Sequence, residues 1–281
     1  MRNHMALLGA VLVIAAALPV LADTPFKLNA TAGTRHYRYT SFEQPEGQLG
    51  TRYRVDFDLV TDASNGVTAV VRKAESAKGD IWSTPVVSDE CKKALQGSDD
   101  ALARVTLSPL SPEAAAALGE PFMAMCAPAA YFYPMTDILN VSLIQTSPLF
   151  HLADLTSTGK SARFEGFHTK LDRFGTAMVA SSPGGTITLT SLDDHVANVD
   201  WAPDPMALTL VQRATQTMPE LTMSGFERFA FRVVIDRASG TLVRATTTLD
   251  SLNLVVSMQG LPPDKAPHLA IKREVAIEPR D

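Results

Sequence analysis

The sequence predicts a mainly β (α+β) domain: a large curved antiparallel sheet or half-barrel, with a disulfide-stapled helical insertion packed over one face. Three observations lead there. Strand-like alternation of apolar and polar residues occupies both ends of the chain. A stretch rich in Ala, Leu, Met and Pro interrupts it from about 88 to 145. Two cysteines, Cys91 and Cys126, both fall inside that stretch.

Residues 1–22 read as a cleavable signal peptide. Arg2 supplies a basic start, the run from Met5 to Leu18 carries no charge, and Pro19 breaks the helix. Val20 and Ala22 then place small residues at the −3 and −1 positions of a signal-peptidase site. The run is short for a membrane span, and no cysteine stands at the cleavage point to take a lipid. The expectation is a soluble periplasmic or secreted chain starting at Asp23, with no integral membrane segment after cleavage. Removing 22 residues from 281 leaves 259, enough for the single β-rich domain expected over 23–281. With Arg2 gone, 24 Lys+Arg face 30 Asp+Glu, a net charge of −6. The charges alternate in sign without a basic stripe. Nucleic acid and anionic membrane surfaces, which need a concentrated positive field, are excluded as expected partners.

The first strands lie at Arg35 to Phe42, Arg52 to Val60, Val67 to Ala74 and Ile81 to Val87. In the second, Tyr53, Val55, Phe57 and Leu59 face one way while Arg52, Arg54, Asp56 and Asp58 face the other. Ser64-Asn65-Gly66 turns it into the third. Ser88 then caps a helix that Gly97 ends, and Ser111-Pro112-Glu113 starts another. Met135 to Gln145 has helical spacing. Strands resume at Ala162 to Leu171, Thr176 to Ser181 and Thr186 to Leu192, the last two separated by a turn at Ser182-Pro183-Gly184-Gly185. Phe229 to Ile235, Thr241 to Leu249 and Leu252 to Met258 read as three consecutive strands of a meander. A final edge strand lies between Pro262 and Asp281. In order of elements alone, the layout resembles the open half-barrel of periplasmic lipoprotein and lipid carriers.

An even cysteine count in an exported chain favours a disulfide. A Cys91–Cys126 bridge is worth roughly 3–4 kcal/mol on the chain-entropy model. The wide separation and lack of a Cys-x-x-Cys motif argue against redox or metal roles.

No histidine pair has metal-ligand spacing, so no metal or other cofactor is expected. Asp193-Asp194-His195, with Asp200 beyond, is the nearest approach to a hydrolytic or metal-dependent centre; the competing reading is a polar turn between strands. No Gly-x-Ser-x-Gly elbow is present. Glu165, Glu227 and the Asp pairs make a carboxylate dyad only if the fold brings them together. Tyr131, Phe132, Tyr133 and Met135 flank Pro134 as an apolar cluster, either the mouth of an apolar ligand site or a plug fixing the cover to the sheet. With the inward aromatics Phe57, Phe229 and Phe231, they are the candidate ligand-binding residues. The function expected is a non-catalytic carrier for a lipid-like ligand. The alternatives are an enzyme centred on Asp193, Asp194 and His195, or an assembly partner in the cell envelope. Protein recovered from its compartment should begin at Asp23 by intact mass. Alkylation should label Cys91 and Cys126 only after reduction.

Overall fold

The computed structural model describes residues 32–64, 66–84, 89, 93, 97–98, 100–108, 137–138, 141, 155, 157–173, 176–214, 219–258 and 260–280. The protein is mainly β, built on one large antiparallel sheet. Its strands are β1 (Gly33–Pro45), β2 (Thr51–Thr61), β3 (Val67–Lys78), β4 (Ile81–Ser83), β5 (Ala103–Ser108) and β6 (Ser161–Arg173). They continue as β7 (Thr176–Leu192), β8 (Val196–Pro203), β9 (Met206–Gln212), β10 (Leu221–Asp236), β11 (Leu242–Met258) and β12 (His268–Pro279). The sheet order is β4-β3-β2-β1-β12-β11-β10-β8-β7-β6, with β5 on β3 and β9 between β10 and β7. First and last strands are therefore neighbours: Tyr39 stands opposite Ile277.

β8 and β9 act as one strand in two pieces. Both pair with β7 and β10, and the β7 register runs on from Gly185↔Pro203 to Ser181↔Ala207 without a slip. Pro205, which has no N–H to give the ladder, marks the break. The Asp204 N–H still donates to the Gly184 carbonyl at 2.9 Å. The turn expected at Ser182-Pro183-Gly184-Gly185 does not form. These residues lie inside continuous β7, where it passes from β9 to β8. Glycine is needed there because β6 and β7 crowd together. A Cβ on Gly166 would lie 2.2 Å from the Ser182 carbonyl oxygen, and one on Gly184 (φ +123°) 2.4 Å from that of Phe164.

A second expectation fails at the C-terminal end. Thr241 to Leu249 and Leu252 to Met258 are one strand, β11, and the third member of that meander is β12. The reason is a bulge. Ala230 pairs with Leu249 but Phe231 pairs with Thr247, so one residue of β11 is extra. Inward positions switch parity across it: Ala245 is buried, then Leu249 is 51% exposed while Asp250, Leu252 and Leu254 are buried.

The structure does not bear out the disulfide-stapled helical insertion expected over 88–145: among the described residues there, only scattered positions are helical. Asp89, Lys93, Asp137, Ile138 and Val141 are helical and Gly97 is not. Ala103–Ser108 instead forms β5 on the edge of β3, because Ala103 and Val105 alternate inward onto the core. The strand expected over Ile81 to Val87 is described only as far as Ser83. Residues 1–22, Cys91 and Cys126 lie outside the described residues.

One face of the sheet carries the core. Register aligns Ala74, Val55, Tyr39, Ile277, Ala245, Val233, Val199 and Leu189 in a row across the sheet, all buried. Each large apolar side chain so buried contributes roughly 1.5–3 kcal/mol. Ile138 and Val141 pack against the same cluster at 0% exposure. The other face is charged, as the β2 alternation requires: Arg38 pairs with Asp56, Arg54 with Glu75, Arg72 with Asp58 and Arg232 with Asp200. Gly184→Val should cost roughly 1–3 kcal/mol through forced separation of β6 and β7. In a thermal melt that is a fall in Tm of roughly 2–12 °C.

Candidate functional site

The inward positions are not apolar throughout. On β1 the inward series Tyr37, Tyr39, Ser41 ends in Glu43; on β12, Ile277 and Val275 are followed by Arg273; on β10, Phe231 and Phe229 lead to Glu227; on β11 the bulge turns Asp250 inward. Glu43 and Arg273 are cross-strand partners, and on β11 Ser251 opposite Lys272 brings Asp250 alongside Arg273. These groups form a polar belt across the buried face, flanked by apolar side chains on both sides.

Arg273 sits at its centre with a side chain only 2% exposed. Its Nη2 donates to Asp137 Oδ2, and Nη1 donates to Glu227 Oε1 at 3.3 Å. Its Nε lies 3.5 Å from Asp250 Oδ2 and 3.8 Å from Glu43 Oε1. Asp137 lies outside the strands, next to the buried Ile138. Its Oδ2 also accepts the Tyr39 hydroxyl at 2.8 Å, and the Tyr53 hydroxyl bonds Glu43. Among the described residues neither carboxylate oxygen of Asp250 has a hydrogen-bond partner, although its side chain is 1% exposed.

Four carboxylates thus share one guanidinium in a buried setting, and full ionisation would leave three uncompensated negative charges. Removing carboxylates from water without matched partners is costly, so protons remain bound instead. Burial pushes Glu43 and Glu227 each up to about 7, with the other carboxylates adding and Arg273 opposing. Asp250 rises to about 8 for the same reasons. Burial also raises Asp137, against the pull of Arg273 and Tyr39. Burial works against the charge of Arg273, but the surrounding acids outweigh it and hold it protonated. Burial likewise raises Tyr39 and lifts Tyr53 to about 12, so both remain hydroxyl donors. The belt can store and release protons close to neutral pH. The titrations are coupled and belong to the group as a whole.

Beyond the belt the same face becomes apolar again. Ala180, Leu208, Leu252 and Leu254 are buried there, with Met206, Leu210, Met223, Leu269 and Ile271 half-buried around them. On the other side, Trp201 packs edge-on against Phe229 at 5.2 Å and stacks with Phe164 at 6.2 Å.

Of the residues singled out from sequence, Phe229 and Phe231 join this aromatic group, while Phe57 stacks on Tyr37 at 5.5 Å, deep in the core. Tyr131, Phe132, Tyr133 and Met135 lie outside the described residues. Asp193, Asp194 and His195 are exposed. Asp193 accepts the backbone N–H groups of His195 and Val196, each at 2.8 Å, and so organises the β7–β8 turn. Those hydrogen bonds hold its carboxyl below the usual range. Asp200 pairs with Arg232 on the charged face. The triplet builds a polar turn and does not converge. Glu165 is exposed, so it makes no dyad with Glu227. The belt was visible only as charged residues at inward parity, and the Asp250 contribution is hidden by the bulge. Among the described residues no group of His, Cys, Asp and Glu is arranged to hold a metal ion, and no helix is long and apolar enough to cross a membrane. Compared with known proteins, the chain matches no family model and no curated sequence.

Replacing Arg273 by Met should destabilise the protein by roughly 3–5 kcal/mol, because four buried carboxylates lose their cation. Urea unfolding of R273M against the parent measures it, and an unchanged midpoint would contradict the ion-pair geometry.

Proposed function

We propose that the protein is an exported, soluble, periplasmic carrier that holds an apolar, lipid-like ligand between its sheet and a helical cover. In this reading the cover spans about 88–145 and is stapled by Cys91 and Cys126. Tyr131, Phe132, Tyr133 and Met135 contribute to the mouth.

The observation that supports it most is the second apolar region beyond the polar belt. Met206, Leu210, Met223, Leu269 and Ile271 are neither fully packed nor fully exposed. Flexible methionine side chains around a leucine floor adapt to ligands of variable shape. Phe229 stands at the belt and closes the other end against Trp201. A carrier needs no catalytic group, which agrees with the exposed, splayed arrangement around His195.

Contact with another envelope protein is a second reading, favoured by Phe226, Leu249 and Val255, which are exposed on adjacent β10 and β11.

Native mass spectrometry of protein purified from its own compartment tests the carrier. The expected spectrum shows a lipid-sized adduct that organic extraction removes and that Met223→Glu no longer retains. A spectrum of bare protein alone, from a gentle preparation, counts against it.

A further inference from the structure

The outer face of the sheet changes character along its strands. Over β1 to β3, and where β10 runs beside β8, it carries ion pairs. Toward the other end of β10 they stop. There the outward residues of β7, β9, β10 and β11 form a block four strands wide and three residues deep. It runs from Ala177 and Ser181 on β7 to Asn253 and Ser257 on β11, and holds only Ala, Ser, Thr, Val, Asn and Phe. Within it Phe226 is 58% exposed, and its diagonal neighbour Val255 36%. The solvated face of an antiparallel sheet is ordinarily polar, so an uncharged block on the outside calls for a partner. We propose that this block docks on a lipid bilayer, with Phe226 and Val255 entering the apolar layer.

Size favours a bilayer over a protein partner or a second copy. Strands about 4.8 Å apart, with same-face residues about 7 Å apart along each, give the block roughly 400 Å². A stable protein complex buries about 800 Å² on each partner. A bilayer needs no matched surface, because each exposed apolar side chain partitions into it separately.

Charge gives the lipid class. Lys170 stands opposite Val179 at one side of the block, and Arg228 and Lys272 flank Ser251 in the row beyond Phe226 and Asn253. All three are exposed. Their apolar stems let the charged heads reach phosphate groups while the block between them sits deeper. Glu220 and Asp264, also exposed, stand in the connections at the strand ends, where they meet a cationic headgroup. Charges of both signs around an uncharged centre fit zwitterionic phospholipid, as does the lack of a basic stripe in the chain. The docking inference does not rest on the carrier reading, although the half-buried Met206, Leu210 and Met223 lie on the opposite face of the same strands.

Flotation tests it, using the full mature chain and vesicles of phosphatidylcholine and phosphatidylethanolamine without anionic lipid. The protein should float with the vesicles at about 0.1 M salt and equally at about 1 M, where charge attraction is screened within about 3 Å. Phe226→Thr combined with Val255→Thr keeps residues suited to strands. That variant should keep the parent's Tm and lower the vesicle partition coefficient roughly tenfold. A second measurement does not depend on that variant. With Trp82→Phe removing the exposed indole and Trp201 buried, Phe226→Trp should shift its emission to the blue on vesicles and be quenched by lipids brominated in their chains. Met223→Glu, on the inner face, should float like the parent even where the lipid adduct is lost, so the two readings fail separately. A parent that stays at the bottom, binding lost at high salt, undiminished flotation of the double variant, an unquenched Trp at 226, or a dimer that the double variant splits would each overturn bilayer docking.

Discussion

Arg273 brings one positive charge into an interior that already holds four carboxylates, and the placement of every neighbour can be traced to that imbalance. Its guanidinium reaches acids on β1, β10 and β11 and Asp137 outside the strands. Hydrophobic burial is non-directional. The hydrogen bonds that Arg273 and the Tyr39 hydroxyl donate to Asp137 fix where that carboxylate sits against the sheet. The cost is protons retained on acids that in water would be ionised.

The backbone irregularities serve this arrangement. Without the extra residue in β11, Leu249 and not Asp250 would face inward, and Arg273 would lose one carboxylate neighbour. Pro205 divides the strand between the 16-residue β10 and the 17-residue β7, and the glycines let β6 approach β7 closely. Long strands accumulate right-handed twist, and bulges, prolines and glycines relieve it. Here they fall within a few residues of the belt, between its two apolar flanks.

Strand identity was largely legible from side-chain alternation. β2 is the clearest case, with Tyr53, Val55, Phe57 and Leu59 inward as the pattern requires. Strand continuity was not. Pro183 and two glycines look like a turn in any local reading, and only the hydrogen bonds of two different neighbours show that β7 continues through them. The same limit applied to β11, where a bulge imitates a strand end. β5 was concealed by its short length in Ala-rich surroundings. The belt was half legible: Glu43, Glu227 and Arg273 stand at inward parity, a position that charged residues rarely occupy unpaired. Asp137 carries no periodic signal, and its partner lies more than a hundred residues away in the chain.

The pairing of β1 with β12 has a consequence for how the molecule is made. Read from β6 through β12 and on through β1 to β4, the sheet is a simple meander, yet the chain is synthesised with its opening in the middle of that path. β1, β2 and β3 precede the rest of the sheet and have one another, but the free edge of β1 waits for β12. The same late strand carries Arg273, so the acids of β1, β10 and β11 and Asp137 are all present before their shared cation arrives. Formation of β12 therefore joins the two halves of the sheet and brings the belt's cation in a single event, and a chain without β12 would lack both.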